Sequence, residues 1–209
     1  MSEAGPIVTA PPSSGPARKP AASGTGEPPM IAVRGLTKGI GAQEILRGVD
    51  LTVAKGETLV IIGRSGGGKS VMLKHLIGLM QPDAGEIQIE GENIIGLKER
   101  KLAAIRLKVG ILFQGGALFD SMTVEENIAF PLREAGERDP KIIRQKVDEM
   151  LEVIELEGQH DKMPVNLSGG MKKRVGLARA IIRRPSCVLY DEPTAGLDPV
   201  VSDSINRLI

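Results

Sequence analysis

The sequence predicts an α/β fold built on a mostly parallel central sheet, and two observations support this. From residue 31 onward, short apolar or alternating runs typical of strands are separated by segments with apolar residues at helical spacing. Strands that alternate with helices indicate parallel pairing. One continuous apolar run, residues 58–62, leads directly into a glycine-rich loop and then a helical stretch. Such a run is typical of a central strand covered on both faces.

Composition limits the class of protein. The 209 residues fit one domain of ordinary size. Lysine and arginine total 27 against 26 acidic residues, so we expect no nucleic-acid partner. The single cysteine, Cys187, excludes an internal disulfide framework and favours a reducing compartment. The sequence has no apolar run of 18 or more residues and no basic N-terminal segment followed by an apolar one. We therefore expect neither a membrane span nor a secretory signal, and any link to a membrane would go through a partner.

Residues 1–29 differ from the rest of the chain. Twenty of them are Pro, Gly, Ala or Ser, and they include seven of the 14 prolines. A segment of this composition cannot bury enough apolar surface to offset the entropy lost on ordering. We expect a disordered tail, with the folded domain over residues 30–209.

The elements that follow are predicted from periodicity and from helix-capping patterns. Thr123 and Glu126 form a capping-box pattern. Asp139 followed by Pro140 is typical of an N-cap with proline at the first helical position. The predicted strands are residues 31–34, 49–53, 58–62, 86–90, 109–113 and 187–190. The predicted helices are residues 70–80, 97–108, 123 toward 133, 139 onward, 168 to about 184, and 198 onward.

The loop at residues 63–70 reads Gly-Arg-Ser-Gly-Gly-Gly-Lys-Ser and matches the phosphate-binding pattern G-x-x-x-x-G-K-[ST]. Its glycines let backbone N–H groups surround phosphate oxygens, and the following helix directs its positive end at the same anion. Lys69 is suited to neutralise the β- and γ-phosphates, and the Ser70 hydroxyl to ligate Mg²⁺. The residues expected at the nucleotide are Gly63, Arg64, Ser65, Gly66, Gly67, Gly68, Lys69 and Ser70. This motif alone leaves kinases, GTPases, motors and transporter ATPases open.

Two adjacent carboxylates, Asp191 and Glu192, end the last predicted strand. An acid at a strand tip beside a phosphate loop is placed to hold Mg²⁺, and Asp191 fits that role. Glu192 points in a different direction and can act as general base on an attacking water. The alternative is an ordinary exposed strand end.

A second glycine-rich helix start lies at Ser168, Gly169 and Gly170. It is physically a second anion-binding end. One γ-phosphate does not need two such helices from one chain, although a second chain could use the other. Taken alone, the tripeptide favours a plain capped helix.

Together, these segments resemble the ABC ATPases in order and rough spacing, over about residues 31–209. In that resemblance residues 63–70 are the Walker A motif and Gln114 is the Q-loop. Residues 167–170 are the signature motif. Asp191 and Glu192 belong to Walker B, with Glu192 as its catalytic glutamate, and residues 196–198 are the D-loop.

The resemblance implies a P-loop NTPase of the ABC type that uses ATP and Mg²⁺. An antiparallel β subdomain and a helical subdomain at about residues 115–165 would accompany the central sheet. Two identical chains would form a head-to-tail dimer, with each ATP between one chain's Walker A motif and the other's signature motif. The roles implied are catalysis by Glu192, Gln114 and Lys69, nucleotide contact by Ser168, Gly169 and Gly170, and Mg²⁺ ligation by Ser70, Gln114 and Asp191.

The sequence departs from the family pattern in three places. Met171 stands where the signature usually ends in glutamine, and Ile40 stands where an aromatic residue usually stacks on adenine. The family also has a switch histidine downstream of Walker B, whereas His75 and His160 both lie upstream. We expect these two to be ordinary helix and loop residues, the switch position to lie beyond Ile209, and the C-terminal part of the domain to be missing.

Within the family, residues 71–80, residues 113–134 and the signature ending in Met171 look like the ATPase of Mla/Mce-type lipid transporters. That resemblance implies permease subunits, an Mce-domain lipid-binding protein, phospholipid substrates and a peripheral position on the cytoplasmic face of the inner membrane. Residues 115–122 mix small and apolar types on an expected exposed turn, which favours docking of a permease helix. The alternative is a loop folded onto its own domain.

Basic segments at Lys172, Lys173 and Arg174 and at residues 98–108 are more typical of solvated helix faces than of lipid head-group sites.

Three other functions compete with lipid transport. One is an ABC importer or exporter for another substrate. A second is a soluble ABC ATPase acting on DNA or ribosomes. It is disfavoured because only 54 residues separate Gln114 from Ser168, too few for long coiled coils, and because the chain has one phosphate loop. The third is a small-molecule kinase, which does not explain Leu-Ser-Gly-Gly followed by Asp-Glu-Pro-Thr.

Overall fold

A computed structural model describes residues 27–64 and 66–209. The tail predicted at residues 1–29 lies outside this part of the chain except for its last three residues. The strands are β1 (Ile31–Ile40), β2 (Gln43–Val53), β3 (Ala84–Ile89), β4 (Glu92–Asn93), β5 (Val109–Leu112) and β6 (Cys187–Tyr190). The α-helices are α1 (Lys69–Leu76), α2 (Glu99–Arg106), α3 (Val124–Glu134), α4 (Pro140–Val153), α5 (Gly169–Ile181) and α6 (Pro199–Leu208).

Strands β1 to β4 form an antiparallel sheet in the order β2-β1-β3-β4. Ile31 of β1 pairs with Val53 on one side and with Ile89 on the other. The antiparallel part of the fold is therefore confirmed. Ile31, Ala32 and Val33 of β1 are all buried, so the alternation that the sequence predicts for a half-buried strand is wrong for these three residues.

Strands β5 and β6 form a parallel pair, in register from Val109 with Cys187 to Leu112 with Tyr190. Helix α5 lies so close to β5 that a Cβ atom added to Gly110 would stand 2.5 Å from the carbonyl oxygen of Ala180. Only glycine permits this approach of helix and strand. Both predicted strands and their parallel pairing are confirmed.

Residues 58–62 do not form the central strand that their sequence predicts. They have no regular secondary structure, and Val60 and Ile62 are 73% and 92% exposed. A strand needs neighbours that pair with its backbone N–H and C=O groups. Within the described residues, β5 and β6 pair with each other and the remaining strands form the separate antiparallel sheet. The strand prediction for residues 58–62 is therefore wrong in this structure, because apolar composition does not itself supply a pairing partner.

Two apolar cores hold the elements together. The first packs the antiparallel sheet against α1 and α2, and the second packs α3, α4 and α5. Fully buried side chains of the first core include Leu36, Leu76, Ile87, Ile89 and Ile94. Those of the second include Ile128, Val147, Leu151, Ile154 and Val175.

The predicted helix caps at Thr123 and Asp139 are confirmed, whereas α2 begins at Glu99 rather than at residue 97. The Glu126 backbone N–H donates to Thr123 Oγ1 over 3.2 Å, and the Thr123 N–H donates to the Glu126 carboxylate over 2.8 Å. Asp139 accepts from the Lys141 N–H at 2.8 Å. Helix ends are less well predicted, since α1 ends at Leu76 rather than at residue 80. None of the helices in residues 27–64 and 66–209 has the length and apolar character to cross a membrane.

Candidate functional site

The phosphate-type loop folds around the side chain of Lys69. The Lys69 ammonium donates to the carbonyl oxygens of Gly63 and Arg64, at 2.8 and 3.1 Å. The Gly67 N–H closes a turn on the Arg64 carbonyl oxygen at 3.0 Å. Ser65, expected at the nucleotide, lies outside the described residues.

Helix α1 starts at this loop, with Gly68 as its N-cap residue. Gly68 has a φ of 91°, in the left-handed region that disfavours side chains, and no side chain caps the helix. Gly66 also has a positive φ, of 75°. The glycines therefore give the backbone the turns that a chain needs to direct N–H groups at an anion.

A carboxylate from β6 meets the first turn of α1. The Ser70 hydroxyl donates to Asp191 Oδ1 over 2.9 Å, although the two residues are 121 positions apart. Asp191 itself extends β6, and its N–H donates to the Leu112 carbonyl oxygen of β5 at 2.9 Å. The end of β6 and the start of α1 thus bring together two of the three predicted Mg²⁺ ligands, Ser70 and Asp191.

The second carboxylate lies against the lysine of the loop. The Glu192 carboxylate is 3.7 Å from the Lys69 ammonium, and Gln114 Nε2 donates to it over 3.5 Å. Glu192 has a φ of 50°, an uncommon conformation for a non-glycine residue. Its side chain is 40% exposed, so water has access to the carboxylate.

These residues fit a magnesium ion bound together with phosphate. Mg²⁺ is usually held by one or two carboxylates, substrate oxygens and water, and Ser70 with Asp191 supplies such a hydroxyl and carboxylate pair. No group of three or more His, Cys, Asp or Glu side chains with metal-binding geometry occurs among residues 27–64 and 66–209. The chain's own contribution therefore suits a metal that the nucleotide helps to hold.

The second predicted glycine-rich helix start, at Ser168, is partly exposed and partly packed against α6. Ser168 caps α5, its hydroxyl oxygen accepting from the Met171 N–H at 3.2 Å. Ser168 and Gly169 are exposed, whereas Gly170 is buried against α6. A Cβ atom added to Gly170 would stand 2.6 Å from Val201 Cγ1.

The environment of Lys173 in the structure differs from the one that the sequence predicts. The sequence predicts that Lys173 belongs to a solvated basic face, but only 4% of this residue is exposed. The Lys173 ammonium donates to the carbonyl oxygen of Ala195 at 2.6 Å and to that of Glu192 at 3.5 Å. The interpretation is wrong for Lys173. The only sequence feature that bears on burial is the helical spacing of Lys173 from apolar residues. That spacing does not distinguish a buried lysine from an exposed one.

The loop after Gln114 is held by two side chains that sequence reasoning did not single out. Buried Asn127 accepts from the Phe119 N–H at 2.9 Å, and its amide donates to three backbone carbonyl oxygens of residues 119–123. Arg179 donates to the carbonyl oxygens of Gly116 and Ala117 at 3.0 and 2.9 Å. The loop is therefore fixed to α3 and α5.

The sequence leaves two possibilities for this loop, an exposed docking surface and a loop folded onto its own domain, and Phe119 shows features of both. Its ring packs on Phe130 with 4.8 Å between centroids, yet its side chain is 42% exposed. It borders a groove of 340 Å³ whose walls include Arg106, Phe113, Phe130, Arg179 and Arg183. The loop is thus folded onto its own domain and still presents an aromatic surface.

The two histidines lie in a helix and a loop, as the sequence predicts, and the Nε2 atom of His75 is buried without a hydrogen-bond partner among the described residues. His75 is buried in α1, with Nδ1 2.7 Å from the Val71 carbonyl oxygen. His160 Nε2 is 2.6 Å from Asp148.

Comparison with known proteins defines the class. Residues 46–195 match the family model described as ABC transporter. Because that match covers most of the chain, the protein belongs to the ABC transporter family and carries its ATP-binding domain.

Named relatives include the probable ribonucleotide transport ATP-binding protein mkl of Mycobacterium leprae, 47% identical over 90% of this chain and 55% of its own. The chloroplastic protein TRIGALACTOSYLDIACYLGLYCEROL 3 of Arabidopsis thaliana is 42% identical over 86% and 54% of the two chains. The methionine import ATP-binding protein MetN of Legionella pneumophila is 41% identical over 86% and 52%. The chain therefore spans about half the length of the curated relatives it matches.

A solved structure supports the fold. The dimeric post-hydrolysis state of the ATP-binding cassette MJ0796, bound to ADP and Pi, superposes with a TM-score of 0.79 at 34% identity. The match covers 86% of this chain and 81% of that one. The ABC type of P-loop NTPase fold is therefore confirmed.

Proposed function

We propose that this chain hydrolyses ATP in a head-to-tail homodimer and drives a membrane permease that transports lipid. The observation that carries the ATPase part is the meeting of Lys69 and Ser70 with Asp191 and Glu192. A phosphate loop, a Mg²⁺ ligand pair and a base are the parts needed to attack a γ-phosphate with water.

Each residue has a proposed role in the reaction. Lys69 neutralises the β- and γ-phosphates. When the nucleotide binds, contacts to phosphate oxygens would replace the present contacts of Lys69 to the loop carbonyl oxygens. Ser70, Gln114 and Asp191 would hold Mg²⁺, which supplies charge neutralisation of the phosphates when bound. Glu192 takes the proton of the attacking water, and Gln114 orients that water or the metal. Backbone groups of residues 63–68 surround the phosphates.

The homodimer supplies the other half of each site. Ser168 and Gly169 are exposed at the start of α5, with the buried Gly170 next to them, and such a helix end favours an anion brought by another molecule. We propose that they contact the γ-phosphate held by the Walker A loop of the partner chain. The related MJ0796 cassette is dimeric in its post-hydrolysis state.

The Glu192→Gln variant of the full-length protein tests the ATPase mechanism. Removal of the base lowers ATP turnover by about 100-fold or more, while ATP binding is retained because the phosphate loop is unchanged. Turnover is measured by phosphate release and binding by titration with labelled ATP. Glu152→Gln, at an exposed position of α4, is the matched control and keeps the wild-type rate. A Glu192→Gln protein that turns over ATP at the wild-type rate would remove Glu192 from its role.

The permease is proposed to dock at the groove beside Phe119. Exposed aromatic surface in a groove is typical of a protein interaction site. The groove adjoins Gln114 through the loop that Asn127 and Arg179 hold, so movement at the nucleotide would reach the permease. This arrangement would place the chain as a peripheral protein on the cytoplasmic face of the inner membrane.

The lipid substrate rests on the resemblance to Mla/Mce-type ATPases, which also implies an Mce-domain partner. The plant relative bears the name of a glycolipid, whereas other relatives are named for ribonucleotide transport and methionine import. Ribonucleotide transport is therefore the second candidate.

A reconstituted complex separates the candidate substrates. The full-length ATPase and its permease partners, placed in liposomes, should move a fluorescent phospholipid in an ATP-dependent way and leave labelled ribonucleotide and methionine where they are. The same complex with Glu192→Gln is the control. ATP-dependent uptake of ribonucleotide without phospholipid movement would contradict the lipid assignment.

The domain layout is also a proposal. Residues 30–209 would form the ATPase domain, with residues about 115–165 as its helical subdomain and residues 1–29 as a tail.

A further inference from the structure

The side chain of Lys173 carries an ammonium group that is buried between α5 and the residues that follow β6. Lys173 lies in α5, five residues after Ser168, and only 4% of the residue is exposed. Burial lowers the pKa of Lys173, and the negative charge of Glu192 opposes that effect. A buried ammonium is costly unless its donors find acceptors, so its partners define what it does.

Those partners are the two ends of one turn. Lys173 Nζ is 2.6 Å from the Ala195 carbonyl oxygen and 3.5 Å from the Glu192 carbonyl oxygen. The turn is closed by the Ala195 N–H, which donates to the Glu192 carbonyl oxygen at 3.2 Å. The Lys173 ammonium group thus donates to the carbonyl oxygens at both ends of the turn, those of Glu192 and Ala195.

The first residue of that turn needs support. Glu192 has a φ of 50°, a conformation that non-glycine residues adopt only where the surroundings hold it. Its carboxylate nevertheless stands 3.7 Å from the Lys69 ammonium and 3.5 Å from Gln114 Nε2. The direction of the side chain depends on this backbone conformation.

We infer that Lys173 is a positioning residue for ATP hydrolysis: it holds the Glu192–Ala195 turn and so aims the Glu192 carboxylate. Because Lys173 also belongs to the helix that Ser168 begins, it ties the signature end of the chain to its own catalytic carboxylate. This inference rests on the proposed role of Glu192 as general base.

The test uses the full-length protein with its permease partners. Lys173→Met keeps the length of the side chain and removes the donor. Its kcat for ATP should fall at least five-fold, and its affinity for ATP, titrated directly, should stay within two-fold because the loop at residues 63–70 keeps its contacts. Lys172→Met, next to it on the same helix and only partly buried, is the matched control and keeps the wild-type kcat.

A second measurement distinguishes positioning from general support of the fold. If Lys173 acts through Glu192, the Lys173→Met change in a Glu192→Gln background should lower the residual rate by less than two-fold. Where Lys173→Met does not fold, Lys173→Gln takes its place. Its shorter amide reaches at most one of the two carbonyl oxygens, so the same five-fold loss is expected.

The inference is overturned by a kcat loss smaller than five-fold, by an equal loss of ATP affinity, or by a further loss of two-fold or more in the Glu192→Gln background. Failure of the proposed function gives a different result, since the Glu192→Gln protein would then itself turn over ATP at the wild-type rate.

Discussion

Helices α1 and α5 both begin at glycine-rich segments, yet the two starts are built differently. Helix α1 follows Gly68, which has a φ of 91° and no capping side chain. Helix α5 follows Ser168, which has a φ of −66° and accepts from the Met171 N–H. The first start uses backbone conformation alone, whereas the second uses a hydroxyl cap of the ordinary kind.

The surroundings differ as much as the caps. The first turn of α1 meets Asp191 through Ser70, and its Lys69 lies near Glu192. The α5 start has Gly170 packed on Val201 of α6 and leaves Ser168 exposed. Two helix ends that both favour anions on local grounds therefore have different surroundings: the start of α1 adjoins Asp191 and Glu192, whereas Ser168 at the start of α5 is exposed.

The largest difference is expected in ATP binding by the isolated full-length subunit. Lys69→Met removes a charge-assisted contact to phosphate, worth about 1.5–3 kcal/mol, and should weaken binding by roughly 10- to 100-fold. Ser168→Ala should leave binding within two-fold and lower turnover only, because its partner is the nucleotide of another chain. Titration with labelled ATP at low protein concentration measures this. Equal weakening by both variants would contradict the proposed division between the two helix starts.

A glycine-to-alanine pair sharpens the comparison through stability. Gly68→Ala forces a side chain into the left-handed region, at about 1–2 kcal/mol, and its Cβ would stand 3.0 Å from Ile45 Cγ2. Gly169→Ala meets only Leu197, at 3.7 Å, and should leave stability unchanged or raise it by up to about 1 kcal/mol. The free energy of unfolding in urea, without nucleotide, gives both values. A loss for Gly169→Ala as large as that for Gly68→Ala would show that α5 also begins under backbone strain.

The smallest effect is expected at the α5 cap. Ser168→Ala leaves the Met171 N–H without its acceptor and should lower the free energy of unfolding by about 1 kcal/mol. Ser168→Gly is the matched variant and should cost only a few tenths of a kcal/mol. The same urea experiment measures both. A Ser168→Ala protein as stable as wild type would mean that water replaces the cap at no cost.

Sequence reasoning succeeded where the interacting groups are close along the chain. The capping box at Thr123 and Glu126 and the Asp139 cap joined residues two or three positions apart, and all of these contacts are present. The phosphate-type loop was found for the same reason, since its glycines, lysine and serine are consecutive. Ser70 and Asp191 lie 121 positions apart, and their meeting is predicted from an acid at a strand tip beside a phosphate loop rather than from local spacing.

Sequence reasoning failed where contact depends on distant segments. The apolar run at residues 58–62 predicted a buried strand, but it has no pairing partner in the described structure and lies exposed. Lys173 looked like a surface residue, although its acceptors lie 19 and 22 positions away. Arg179 reaches the carbonyl oxygens of Gly116 and Ala117 across 63 and 62 positions.

By itself, the sequence determined where helices begin, which loop suits phosphate and which carboxylates follow a strand, because short-range geometry fixes these features. Only the tertiary structure decided which strands pair, which basic side chain is buried and how Glu192 is aimed. Burial and pairing are set by which segments meet, and that depends on the whole folded chain rather than on local composition.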